Sequence, residues 1–422
     1  MTYRLALLGG PRALGQDVPD EWPPITSTDE ALVLRSLRGS DHSYGAHCRK
    51  FEEEFAAWVG CEFAINTNSG TAALHMCIAA VGCSAGDEVI VPAYSWSSSA
   101  TAALHHNCVP VFVDIDWRTM NLDPSQIEKA ITPRTRAIVA VHLHGLAADM
   151  PAIRKIASKH GLKVIEDACQ AHGAEVNGQK VGTLGDCAAF SFNQRKTICA
   201  GDAGMFVTNS PELNENARRL WSFGEDRLPS EDRDYHAYAL GWMYRSNDLT
   251  AAFGLGQLRR ADEYLGWQRH NAFALLDSLS SSPYIECPVT PHGYRHTYST
   301  FTVRLDLSAI EEEVGPGITR DRIVQAIAAE GIPQGLVTWQ RHILPDMTVF
   351  RARNAYGHGC PWECQHRGGR EPVMEAFPIA QRHCECSFGI NTPMRRPIDE
   401  SGGERIGLAI NKVLGNLHEL VH

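Results

Sequence analysis

Lys163-Val164-Ile165-Glu166-Asp167-Ala168-Cys169-Gln170-Ala171-His172-Gly173 places an acid, Asp167, directly behind a short apolar run. Six further runs have the same character: Glu62-Phe63-Ala64-Ile65, Glu88-Val89-Ile90-Val91, Val111-Phe112-Val113, Ala137-Ile138-Val139-Ala140-Val141, Ala188-Ala189-Phe190-Ser191-Phe192 and Met205-Phe206-Val207. All are short, often β-branched, and mostly apolar on consecutive positions, as strands covered on both faces are. Helical patterns fill several of the gaps, for example Met150-Pro151-Ala152-Ile153-Arg154-Lys155-Ile156-Ala157. This alternation predicts an α/β fold with a mainly parallel seven-stranded sheet and helices on both faces. Ligands of such sheets bind at the carboxyl ends of the strands, so functional residues are expected just behind the runs.

Outside this region, residues 1–30 read as an irregular N-terminal arm, residues 31–255 as the large ligand-binding domain, and residues 256–422 as a smaller C-terminal α/β domain. Helices are expected near 29–38 and over Cys48–Val59, the latter with Phe51, Phe55 and Trp58 on one face. One long helix is expected from Leu249 to Leu279, then a strand at Thr300–Leu305 and helices at Thr319–Ala329 and Gly403–Leu417. The Gly/Cys/Arg-rich stretch 355–371 reads as a loop inserted in the small domain.

Composition narrows the function. The 422 residues are 44% hydrophobic and 21% charged, with a formal net charge of -10. No cluster of Lys and Arg offers a nucleic-acid footprint. The apolar run near the N-terminus is too short for a signal peptide, and no run approaches a membrane span, so a cytoplasmic protein that engages neither nucleic acid nor membrane is expected. The thirteen cysteines therefore read as reduced thiols. Cys360-Pro361-Trp362-Glu363-Cys364-Gln365-His366, with Cys384 and Cys386, invites a metal reading, but Cys-x3-Cys-x-His is not a zinc spacing and no metal is expected.

Four features fall at strand ends. Asn68-Ser69-Gly70-Thr71-Ala72-Ala73-Leu74 brings small residues to a helix start, where backbone N–H groups and the helix dipole suit a phosphate; the same residues also read as an ordinary N-cap. Asp167 is costly behind a buried strand unless partnered. A protonated pyridine nitrogen is one partner, and a helix cap is the other reading. Gln170 is placed to reach a phenolic oxygen of a cofactor, or solvent. Lys196, one of eight lysines against thirty-one arginines, lies 29 residues beyond Asp167 and just past a strand. A Schiff base requires a primary amine, so Arg195 cannot serve. Ser191, on that strand, reads as a phosphate donor or as a core serine. Trp96, in Pro92-Ala93-Tyr94-Ser95-Trp96-Ser97-Ser98, offers a flat face for stacking on a ring, or a rim position. Together they read as a site for pyridoxal 5'-phosphate carried as a Schiff base on Lys196.

With these motifs the chain resembles the DegT/StrS family of fold-type I pyridoxal-phosphate aminotransferases, which act on sugars and cyclitols. Within it the chain is similar to secondary-metabolite members such as scyllo-inosose aminotransferases and aminohydroxybenzoate synthases. Further matches are Gly86-Asp87-Glu88-Val89-Ile90-Val91-Pro92, Val141-His142-Leu143-His144-Gly145, Tyr244-Arg245 and Phe377-Pro378-Ile379-Ala380, and they run in order over nearly the whole chain. The resemblance implies Lys196 as internal aldimine and proton shuttle, Asp167 on the pyridine nitrogen, Gln170 on the phenolic oxygen and Trp96 stacked on the ring. It implies Gly70, Thr71, Ala72 and Ser191 around the phosphate, and a homodimer with shared active sites. It also implies an amino donor, L-glutamine or L-glutamate, and a keto-cyclitol or keto-sugar acceptor in aminoglycoside-type biosynthesis. An aromatising lyase of aminohydroxybenzoate-synthase type and a non-catalytic cofactor-binding regulator are the alternatives.

Two departures from the family pattern stand out. The usual Gly-Glu-Gly-Gly is Gly201-Asp202-Ala203-Gly204, and Met243, which offers no hydrogen bond, replaces an asparagine before Tyr244-Arg245 that reaches the partner subunit's phosphate. Acceptor specificity is expected in loops at 40–48, 224–240 and 355–371.

Overall fold

The computed structural model describes residues 4–15, 22–226, 235–332, 337–338, 340–363, 376–391 and 402–421. Its central sheet contains β1 (Phe63–Thr67), β2 (Glu88–Pro92), β3 (Val109–Val113), β4 (Thr135–Val141), β5 (Lys163–Asp167), β6 (Cys187–Ser191) and β7 (Gly204–Thr208). The spatial order is β1-β7-β6-β5-β4-β2-β3. Only β7 runs against the others: it pairs antiparallel with β1 and β6, while the remaining pairs are parallel. The seven apolar runs are these strands, with ends moved by one or two residues.

The reason for consecutive apolar positions is visible in the packing. Val89 and Val91 enter one core while Ile90 enters the other; Ala137, Val139 and Val141 face one side, Ile138 and Ala140 the opposite side. Each strand thus alternates between two buried faces rather than between core and water. The helix Ala46–Val59 lays Phe51 and Phe55 on one face of the sheet, Phe55 edge-on to Phe190 and Phe192 and Phe51 tilted against Phe192. Each such ring, fully buried, contributes about 1.5–3 kcal/mol.

The expected single helix from Leu249 to Leu279 is in fact two, Asp248–Leu258 and Ala261–Leu279. The break falls at Arg259 and Arg260. Arg259 forms a two-pronged pair with Glu54 at 2.9 and 2.7 Å, whereas Arg260 turns to Asp29 at 2.7 Å and to the Pro24 carbonyl at 2.9 Å. Adjacent side chains drawn to separate partners favour a break that the apolar periodicity runs straight through.

A second, antiparallel sheet of β8 (Ile285–Glu286), β9 (Phe301–Leu305), β10 (Val337–Thr338) and β11 (Ser387–Ile390) has the order β8-β9-β11-β10. Helices Arg320–Ala329 and Gly402–Leu414 accompany it. Phe301, Val303, Phe388, Ile323, Ile406 and Ile410 build a third core, which Leu5 and Leu14 of the N-terminal arm join. Among the described residues eleven cysteines are free thiols. Cys360 is disulfide-bonded, which corrects the reading of all thirteen as thiols. That reading rested on compartment, which sets redox state on average and does not see local pairing. Residues 227–234 and 364–371 of the expected specificity loops lie outside the described residues.

Candidate active site

The carboxyl ends of β1, β2, β4, β5 and β6 and the start of β7 surround a cavity of about 540 Å³. Gly70, Thr71, Trp96, Asp167, Gln170, Ser191 and Lys196 all line it. Ala72 does not. Its N–H is taken by the hydroxyl of Ser69 at 3.1 Å, the N-cap bond of the helix Gly70–Ala80.

The start of that helix is pressed against the end of β6. A Cβ on Gly70 would lie 2.7 Å from Ser191 Cβ and 3.1 Å from Cys169 Sγ, so only glycine fits. Thr71 Oγ1 meets Ser98 Oγ at 2.7 Å. Small residues, hydroxyls and a helix N-terminus therefore share one corner of the cavity, the chemistry that suits a phosphate. Gly204 is equally constrained, since a Cβ there would lie 2.4 Å from the Ser69 carbonyl oxygen. Ala203, where the family usually has glycine, buries its methyl in the core. Asp202 lines the cavity and accepts from Asn193 Nδ2 at 2.7 Å.

Asp167 is only 5% exposed. Its Oδ2 accepts from Ser99 Oγ at 2.7 Å and its Oδ1 from the Cys169 N–H at 3.2 Å. Ser99 is in turn 2.7 Å from Ser95 Oγ. This buried serine pair was missed in the sequence; the signal available was the spacing of four between two serines at a helix start. Gln170 Oε1 accepts from the His144 N–H at 3.1 Å, which leaves the amide NH2 as the donor for a ligand oxygen. Trp96 is 66% exposed, with its ring at the cavity wall.

Lys196 sits in a braced loop. Its N–H donates to the Asn193 carbonyl at 2.8 Å, and its own carbonyl accepts from Trp22 Nε1 at 3.0 Å. The Gln194 amide returns a bond to the Trp22 carbonyl, and Trp22 packs edge-on against Tyr264 at 5.0 Å. The arm residue Trp22 thus positions the lysine loop, a role not visible in the sequence.

Behind the strand ends lies a buried carboxylate with four donors. Glu166 accepts from His142 Nε2 at 2.9 Å and from the N–H groups of Gly182, Leu184 and Gly185 at 2.8, 2.7 and 2.7 Å. The Ala148 N–H donates to His142 Nδ1 at 3.0 Å, which places the ring proton on Nε2. The pair joins the end of β4 to the end of β5 and holds Asp167 in register.

A profile of the DegT/DnrJ/EryC1/StrS aminotransferase family matches residues 23–355. The chain belongs to this family. It is 39% identical over 379 residues to the GDP-perosamine synthase of Caulobacter vibrioides, covering 88% of this chain and 91% of that protein. It is 38% identical over 327 residues to the L-glutamine:2-deoxy-scyllo-inosose aminotransferase of Streptoalloteichus tenebrarius, covering 74% and 76%. The crystal structure of 3-amino-5-hydroxybenzoic acid synthase superposes with a TM-score of 0.81 at 27% identity, covering 95% of this chain and 99% of that one. The DegT-family chain is accordingly an aminotransferase of the pyridoxal-phosphate fold, and the family implies that cofactor and small-molecule donors and acceptors of the amino group.

The residues fit the cofactor. A primary amine, a buried carboxylate, a helix start into which no Cβ can intrude and an exposed indole face all meet in one cavity. Met243, at the departure from the family pattern, is 51% exposed, and its carbonyl accepts from Asn68 Nδ2 at 3.4 Å. Among the described residues no group of His, Cys, Asp and Glu is placed to hold a metal ion, and no helix is long and apolar enough to cross a membrane.

Proposed function

We propose that the chain moves an amino group from L-glutamine or L-glutamate to a keto-cyclitol or keto-sugar, with pyridoxal phosphate bound at Lys196, in aminoglycoside-type biosynthesis. The observation that carries the reading is the meeting of Lys196 and Asp167 in one cavity at the ends of the paired strands β5 and β6. When bound, the cofactor supplies an electron-accepting ring and a carbonyl that exchanges amines. The chain's residues do the rest. Lys196 Nζ would hold the cofactor covalently and would move the proton at the substrate carbon. Asp167, oriented by Ser99 and the Cys169 N–H, holds the proton at the pyridine nitrogen. The Gln170 NH2 serves the phenolic oxygen, Trp96 covers the ring face, and Gly70, Thr71 and Ser191 seat the phosphate.

The reading includes a cytoplasmic homodimer with shared sites. Phe223, Tyr235, Tyr238, Leu240 and Met243 are exposed within one stretch of chain, an apolar set that a subunit contact would cover. Light scattering is expected to give twice the chain mass. Purified protein is expected to show the long-wavelength absorption of the lysine-bound cofactor, and L-glutamine should shift it to the amine form. No shift with any amino donor would sink the proposal. Product analysis with ring ketones separates amine transfer from aromatisation.

A further inference from the structure

Lys196 stands on a short loop that is closed at its neck and braced from two distant parts of the chain. The neck is the Ala200 N–H, which donates to the Phe192 carbonyl at 2.7 Å. The first brace is Trp22 of the N-terminal arm, only 8% exposed, whose indole N–H donates to the Lys196 carbonyl at 3.0 Å while the Gln194 amide donates back to the Trp22 carbonyl. The second is one residue on, where the hydroxyl of buried Thr197 donates to the Oε1 of buried Gln268 at 3.3 Å. Both braces are backed by one helix. Tyr264, which meets the Trp22 ring edge-on, and Gln268 lie four residues apart on Ala261–Leu279 and so share a face. Tyr264 is itself fixed, fully buried and donating to Gln257 Oε1 at 3.1 Å. Further along, the same helix puts Ala272, Leu275 and Leu279 into the third core.

A lysine amine hangs from its main chain on a long flexible stem. While the amine is bonded to the cofactor, that bond fixes its place. Once a substrate amine has replaced it, its place over the substrate carbon depends on where the main chain is held. A brace on the Lys196 carbonyl therefore matters for the free amine and little for the bonded one. We propose that Trp22, backed by Tyr264 and Gln268, is a positioning residue for proton transfer by Lys196: it holds the lysine main chain so that the freed amine stays over the substrate carbon. The proposal rests on the amino-transfer reading above and deepens it by assigning one step to a residue of the arm. A brace that served folding alone would, when lost, weaken cofactor binding and amino transfer together. A brace that serves the free amine separates the two.

The test uses two variants of the full chain. Trp22→Phe keeps a ring against Tyr264 and removes the N–H donor, and Gln194→Leu removes the return bond from an exposed side chain. In cofactor-free protein, hydrogen exchange at the amides of residues 193–200 should quicken in both, with exchange elsewhere unchanged. The long-wavelength absorption of the loaded variants and the affinity of their apoproteins for cofactor should match the wild type. The single-turnover absorbance change at saturating L-glutamine, or L-glutamate where that is the donor, should slow on the order of ten- to hundredfold, the loss expected when a catalytic group is misplaced by about an ångström. The donor concentration at half-maximal rate should stay the same. Deuterium at the donor's Cα should slow the variants more than the wild type, because proton transfer becomes the limiting step. An unchanged rate and isotope effect in both variants overturns the proposal, as does a rate loss matched by an equal loss of cofactor affinity. If Trp22→Phe does not fold, Gln194→Leu gives the same readings. A wild type that binds the cofactor but shifts with neither donor removes the amino-transfer reading itself, an outcome separate from failure of the variants.

Discussion

At the scale of single residues, the site divides into groups that act on ligand and groups that aim them. Lys196→Arg keeps the charge and loses the chemistry, because a guanidinium forms no Schiff base and moves no proton near neutral pH. It should fold, lose the long-wavelength absorption, and fall by at least about three orders of magnitude in kcat, a drop consistent with removing covalent and proton-transfer catalysis. Retained turnover would place the nucleophile elsewhere. Ser99 is a positioning residue, since its hydroxyl reaches Asp167 and not the lysine. Ser99→Ala removes one of the two hydrogen bonds that hold a nearly buried carboxylate, an effect of about 1–3 kcal/mol on its orientation and stability. Weaker cofactor affinity and roughly tenfold lower kcat are expected, with the lysine-bound absorption still present.

At the scale of elements, the site depends on how β4 and β5 end. Glu166 Oε1 accepts from Leu184 and Gly185, and Oε2 from His142 and Gly182. In Glu166→Gln, whichever way the amide lies, its NH2 faces two N–H donors. Such a pair of unsatisfied buried donors costs on the order of 2–5 kcal/mol, to be read as a lower urea midpoint, and activity should fall with it. An unchanged midpoint would mean that the strand ends are held by packing alone. The same elements show what a sequence can carry. The seven strands were legible because burial on both faces writes a continuous apolar run, and strand-end logic then led to seven of the eight expected residues at the cavity. Ala72 is the one that does not line the cavity: its N–H donates to the Ser69 hydroxyl that caps the helix. The break at Arg259 and Arg260 and the Trp22 brace on Lys196 were not legible. Their partners lie far away in the chain, as with Arg259 and Glu54 or Trp22 and Lys196, and no local period records them.

At the scale of the whole molecule, neutral histidines buried in separate places make acid the weak side of the fold. His75, bonded to Tyr244 Oη at 2.9 Å and to His106 Nδ1 at 3.1 Å, has its pKa pushed down to about 3, by burial first and then by His106 and His105. His296 is held at about 3, chiefly by burial, and His144 at about 4. In the unfolded chain these rings titrate near the ordinary value of about 6.5. Above that pH both states are neutral and the three contribute no pH dependence. As the pH falls below it, the unfolded chain binds protons that the native state refuses, so stability declines until the folded values are reached. Each ring contributes a slope of about 1.4 kcal/mol per pH unit, and the three together up to about 4. Glu52, whose carboxyl is raised by burial, opposes them, but as a single group. With a total stability of the usual 5–15 kcal/mol, this slope consumes most of it within a few pH units. The thermal midpoint should therefore be flat above about pH 7 and drop steeply toward pH 5, in cofactor-free and loaded protein alike. His144→Phe removes one of the three titrations and should flatten that drop by about a third. A wild-type midpoint constant from pH 7 to pH 5 would show that these rings are protonated in the folded protein.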